Sequence, residues 1–253
     1  MVYNSLTEAP HNLKEAIDWL IALKGRDADK NLAAMGAALH KFLADKPVGK
    51  MKVPALEDVK VITKKFLEKP ELKGMWPASE LLGRFNKPMD KDYYMLRKIF
   101  TRINDSDYKN VVEATDAAAE RVKDDVILLV YGCERFLNHM KVPDQYKSAY
   151  SPEATWDASC AENPEACAVV LVGIAPMLFT GILSLWDASN PPIFKCRASG
   201  VAERLRKVLK AVGYVEPESR NSLGYYKVRK ALSNVGYGIW DIVYYFAGFW
   251  AFY

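Results

Sequence analysis

Apolar residues recur along this chain at spacings of three and four, the repeat of helices that bury one face. Leu13, Ile17, Leu20 and Ile21 make the first stripe. Asn12 and Glu15 have capping-box spacing ahead of it, and Gly25 stands where a helix ends. Leu32, Met35, Leu39 and Phe42 predict a second helix over 29–44, broken by Pro47 and Gly49. Its Ala33, Ala34, Ala37 and Ala38 offer a neighbour close approach. A third helix starts near Pro54, buries Leu56, Val59, Ile62, Phe66 and Leu67, and stops before Pro70. Short helices are expected over 79–85 and 91–102, punctuated by Pro77 and Pro88. Residues 108–140 predict one long helix, or two with a seam near Thr115, turning Val122, Val126, Leu129, Val130, Cys133 and Leu137 inward. Turns and short helices follow Pro143. The stretch 201–212 is cleanly amphipathic, with Val201, Leu205, Val208, Leu209 and Val212 inward, and 225–235 repeats the design more weakly.

One segment breaks the amphipathic pattern. From 166 to 186 the chain carries no charge, and it is preceded by a polar stretch with two cysteines. A run of that length spans a bilayer, which takes about 20 residues. Its flanks hold the acids Glu162, Glu165 and Asp187 instead of a basic collar, and Gly173, Pro176 and Gly181 interrupt it. A helix apolar all round also belongs at the centre of a bundle, and several striped helices here need a surface to cover. The expectation is therefore a buried core helix, with a membrane-spanning protein through 166–186 as an alternative. The aromatic tail 236–253 carries Asp241 in mid-run and reads as a packing helix. No apolar/polar alternation bounded by hairpin turns is present. The fold class expected is all-α, a multi-helix bundle around a central apolar helix at about 166–186. The whole of 1–253 reads as a single helical domain, and 103–107 is where a subdivision would fall.

Charge changes this picture only locally. The 253 residues carry a formal net charge of +4, too mild to imply nucleic acid. Basic residues concentrate in 193–230, and Arg204, Arg206, Lys207 and Lys210 line the polar side of the 201–212 helix. They form a candidate interaction face, or the solvated side of an amphipathic helix. The N-terminal MVYNSLTEAPHNLKEA lacks the basic and apolar regions of a conventional secretory signal.

Cys133, Cys160, Cys167 and Cys196 include no C-x-x-C pair and no histidine at ligand spacing, so no metal site is expected. Cys160 and Cys167 bracket a turn at Asn163-Pro164; a short disulfide-closed loop and two free buried thiols both fit that spacing. The chain has no G-x-S-x-G, Walker-type loop, G-x-G-x-x-G after a strand, or H-E-x-x-H. His11, His40 and His139 lack partners at a spacing that defines a triad. The acids Asp116, Glu120, Asp124 and Asp125 read as a solvated face, without the Glu-x-x-His pairs of a di-metal bundle. Asn104-Asp105-Ser106 is a formal glycosylation sequon. No catalytic residue and no cofactor is expected.

Five strings go further: NSLTEAPHNLKEAIDWLIALKG over 4–25, KNLAAMGAALHKFLADKPVG over 30–49, VPDQYKSAYSPEATWDASC over 142–160, ACAVVLVGIAPMLFTGILSL over 166–185 and AGFWAFY over 247–253. Together they resemble the N-terminal region of the Babesia variant erythrocyte surface antigen family. Segments 72–107 and 221–245 follow that pattern less closely, as expected of variable surface. The resemblance implies a non-enzymatic protein exported to the infected erythrocyte and displayed at its membrane. It would act there in antigenic variation and in adhesion to host endothelium, as paired subunits. The partners implied are proteins: a paired family subunit and a host endothelial receptor. The downstream variable region and C-terminal anchor of the family do not occur in these residues. Membrane association would then come through that anchor or through a partner. A different class of function, a soluble intracellular helical scaffold, would bind an acidic partner through the basic face.

Overall fold

The computed structural model describes residues 2–46, 52–86, 112–113, 118–190, 198–215, 224–233, 235–246 and 252–253. Among the described residues the elements, in order, are α1 (Leu13–Lys24), α2 (Ala28–Ala44), α3 (Pro54–Leu67), α4 (Ala78–Asn86), α5 (Ala119–Met140), α6 (Trp156–Ser159), α7 (Pro164–Ala188), α8 (Ala198–Ala211), α9 (Tyr225–Ser233) and α10 (Tyr237–Phe246). The architecture is all-α. The expected helix over 91–102, the seam near Thr115, the subdivision near 103–107, Asp116, the sequon at Asn104, Cys196, Pro47, Gly49 and residues 247–251 of the tail lie outside the described residues, as does the side chain of Val201.

The long apolar run folds as α7 and sits at the centre, where α1, α2, α3, α8, α9 and α10 all pack against it. Its most apolar window is long enough to cross a membrane, and 94% of that window is buried by the protein itself. α5 forms a second axis, with α1, α2, α9 and α10 against it, and α2 bridges the two. The inward positions expected on α5, from Val122 to Leu137, are all buried.

Small residues set the closest crossings. A Cβ on Gly173 would overlap Val59 of α3, and one on Gly181 would lie 2.9 Å from Leu13 Cβ of α1. On α2 the alanines Ala34 and Ala38 pack, partly covered, against the core, and Gly36 adds a close approach to α5. A Cβ there would come within 2.6 Å of the Lys123 Cα on α5, whereas Ala33, Ala34 and Ala38 are only partly covered and Ala37 is exposed. Proline at 176 removes the amide that the Val172 carbonyl would accept. The next carbonyl, of Gly173, takes two hydroxyls from outside its helix: Thr63 Oγ1 at 2.6 Å and the Tyr253 hydroxyl at 3.0 Å.

α1 begins as its sequence predicts, with one variation. The Asn12 side chain accepts the Glu15 amide at 3.1 Å. The Glu15 carboxylate does not return to the Asn12 amide; it accepts the His11 amide at 2.8 Å and the Asn12 Nδ2 at 2.7 Å. A further amide of this first turn, on Lys14, is satisfied by the Val212 carbonyl just past α8. Gly213 follows at φ 97°, and a side chain there would strike Asn12. Only a residue without a Cβ lets these two helix ends meet in that conformation.

Candidate functional site

The N-terminal segment and the polar stretch before α7 are fastened by a network that periodicity did not reveal. Tyr3 pairs with Tyr150 as an isolated parallel bridge, and their rings stack at 4.8 Å. The Tyr3 hydroxyl donates to Glu15 at 2.8 Å, and His11 Nδ1 lies 3.1 Å from the same oxygen. The Tyr150 hydroxyl donates to the Glu8 carbonyl at 2.6 Å. Trp19 Nε1 donates to the Leu6 carbonyl at 2.7 Å, and the Leu6 amide donates to Ser159 Oγ at 3.0 Å. Cys160 is joined to Cys167 in a disulfide, with Cα atoms 5.9 Å apart, tying α6 to the first turn of α7.

Asp18 is the buried charge at the centre of this clamp. Its carboxylate accepts the Tyr146 hydroxyl at 2.5 Å, the Ala149 amide at 2.9 Å and Lys14 Nζ at 3.4 Å. Burial raises its pKa above the ordinary carboxylate value, against the opposing pull of Lys14 and those hydrogen bonds. Tyr3, His11 and Glu15 superficially resemble a catalytic triad. Burial, then the bond to Glu15, raises the Tyr3 hydroxyl's pKa, the opposite of what an activated phenol needs. The arrangement holds chain segments together.

Beside the clamp lies a half-open cleft of about 600 Å³, between the C-terminal end of α1, the start of α2 and the segment 148–157. Tyr150 and Trp156 are among its aromatic walls, and Arg26, Asp27 and Asp157 line it too. Asn31 also lines it and is 5% exposed. Its Nδ2 donates to the Lys24 carbonyl at 3.1 Å, while its Oδ1 is buried and accepts no hydrogen bond from the protein. The apolar stripes give no hint of this cleft, because its residues come from three segments that no periodicity connects.

The expected basic face is found on the outside of α8. Arg204, Arg206, Lys207 and Lys210 are all exposed, as the amphipathic pattern requires. Two of the four are paired locally: Arg204 with Asp187 at the end of α7, and Lys207 with Glu203 at 2.9 Å. The Lys207 bond lowers the Glu203 pKa. A smaller hollow of about 240 Å³ beside this face is lined by Glu71 and Glu203 as well as Arg204 and Lys207. The four cations therefore act as a mixed surface, not as a uniform positive field.

The remaining reactive groups are scattered. Cys133 is a free, buried thiol whose pKa burial pushes up to about 12, which suppresses the thiolate. His139 Nδ1 lies 2.9 Å from its own helix's Arg135 carbonyl. Among the described residues, no group of three or more His, Cys, Asp and Glu side chains is placed to hold a metal ion. No family model matches this chain, and no curated protein or solved structure matches it either.

Proposed function

We propose that this chain is a non-enzymatic helical module of the variant erythrocyte surface antigen type. In this reading it is exported to the infected erythrocyte and acts in antigenic variation and adhesion to host endothelium, together with a paired subunit. One observation supports the reading: three of the strings that resemble the family meet one another in the clamp and the central helix. The 4–25 string supplies α1 and one side of the clamp, the 142–160 string supplies the other side, and the 166–185 string supplies most of α7. The segments that follow the family less closely supply α4, α9 and much of α10, together with the exposed Trp76, Tyr225 and Tyr226. A steady frame carrying a changeable outside is the division of labour an antigenically variable protein needs. The Cys160–Cys167 disulfide supports an oxidising destination, since such bonds persist mainly outside the cytosol.

Recombinant chain is expected to bind endothelial cells or a family subunit, and antibodies against the Tyr225–Tyr226 surface are expected to label intact infected erythrocytes. Failure of both binding and labelling would end the proposal.

A further inference from the structure

We propose that the outer side of α5 is a self-association face, and that its occupant is the same face of a second copy of this chain lying antiparallel across it. The inference is independent of where the protein is displayed, because it rests on α5 alone. Two sides of this helix are already covered: Gly36 of α2 meets it at Lys123, and Ile239 of α10 meets it at Gly132. Between those contacts runs an outward stripe of Arg121, Asp124, Leu128, Tyr131, Arg135 and Asn138, all exposed. At 100° per residue the six fall within about 100° of the helix circumference and extend along about 26 Å. The apolar pair is at the middle of the stripe, with Leu128 53% exposed and Tyr131 37%. A facing surface that takes both from water gains by it. Lys24 Nζ, paired with Glu134 at 2.7 Å, lies 4.9 Å from the Tyr131 ring centroid and holds that ring in place before a partner arrives.

The order of residues along the stripe selects the partner. A two-fold axis halfway between Leu129 and Val130 sets Leu128 beside the second copy's Tyr131, Asp124 beside its Arg135, and Arg121 beside its Asn138. Each contact then occurs twice, as an isologous interface requires. Opposite charges meet at both ends of an apolar centre, which fixes both orientation and register. A parallel pair would instead set Asp124 against Asp124 and Arg135 against Arg135. Among the described residues Asp124 and Arg135 are in no ion pair that this contact would have to break. Arg121 has Asp125, one turn on, as its electrostatic partner. Six side chains per copy is well below the roughly 20–30 of a standard interface, so the association is weak and concentration-dependent.

The test follows the full chain by sedimentation equilibrium from micromolar to millimolar concentration. Wild type is expected to pass from monomer to dimer with no larger species, because a two-fold interface closes on itself. Leu128→Glu is expected to weaken the dimer more than about tenfold. Asp124→Arg alone and Arg135→Asp alone are expected to weaken it by about as much, since each sets two like-charge contacts. Mixed in equal amounts, those two variants are expected to form a heterodimer as tight as wild type, because opposite charges again meet at both ends. All three positions are exposed, and unchanged melting curves would show that the variants still fold. A chain that is monomeric throughout overturns the proposal, as does a dimer indifferent to Leu128→Glu or a mixture of the charge variants that stays monomeric. Capture of a different protein by this face, without self-association, gives the face another occupant and so overturns it too.

Discussion

The clamp and the aromatic layer at the far end of the sequence are held in different ways. In the clamp, Asp18, Glu15, Tyr3, Tyr146, Tyr150 and Trp19 join through directional bonds, and a disulfide closes the set. In the aromatic layer, rings meet rings. Trp186 lies edge-on to Trp240 at 5.5 Å, Phe179 lies against Tyr244 at 5.5 Å and near Trp76 at 6.1 Å, and Arg229 sits 5.1 Å above Trp186. The Arg84 contact to the Tyr244 hydroxyl, at 3.5 Å, is too long to direct that packing. Directional bonds demand particular residues, whereas ring packing tolerates exchange among large apolar side chains. One region is thereby committed to its sequence, and the other is free to change it.

The largest effect is expected from Asp18→Ala, which leaves the buried Ala149 amide without its acceptor and takes one from the partly buried Tyr146 hydroxyl. We expect a loss of about 3 kcal/mol in urea denaturation. A loss no greater than that of Trp240→Ala would erase the contrast between the regions. The same residue gives a pH signature. Its folded pKa is raised, so the folded state holds the proton more tightly than the unfolded chain. Its contribution is complete below the ordinary carboxylate value, about 3.9, and is lost as pH climbs through the raised value. Asp18→Asn should remove that decline, which stability measured across acid pH against wild type would reveal.

Next comes Cys160→Ser with Cys167→Ser. Opening a loop of sequence separation 7 is expected to cost about 2.5 kcal/mol, read as a lowered melting temperature. Gly36→Ala should cost about 2 kcal/mol, since the added carbon meets the backbone of Lys123 and not a flexible tip. Within α7 the sign reverses. Thr180 is fully buried with no hydrogen-bond partner for its hydroxyl. Thr180→Val is expected to stabilise by up to about 1 kcal/mol. Smallest of all, Tyr226→Ala, at 72% exposure, should change stability by less than about 0.5 kcal/mol. If it also leaves antibody recognition and adhesion untouched, the changeable surface lies elsewhere.

The helices were legible because burial repeats locally. The stripes on α1, α2, α3, α5 and, from Leu205 onward, α8 point inward where the 3.6-residue period puts them, with Ile21 and Ile62 only partly buried. The interior place of α7 was legible too, from its acidic flanks and its interrupting Gly173, Pro176 and Gly181. Long-range polar bonds leave no such trace. Tyr146 and Asp18 lie 128 positions apart, and Ser159 and Leu6 lie 153 apart. Nothing near either member of these pairs announces the other. Close packing of α2 was expected at its alanines; Ala34 and Ala38 do pack against the core, while the tight contact of Gly36 with Lys123 of α5 had no signal in the stripe. The basic face was read from cations alone, yet Asp187, from another helix, and Glu203 balance part of it.

The junction where Gly213 meets Asn12 has a consequence for how the protein is made. An amide in the opening turn of α1 waits for the Val212 carbonyl, and Tyr3 waits for Tyr150. Emerging from a ribosome, the first helix therefore has no finished start until Val212 has followed it. Nascent chains of this protein should stay exposed and chaperone-dependent until that point, then close these contacts together.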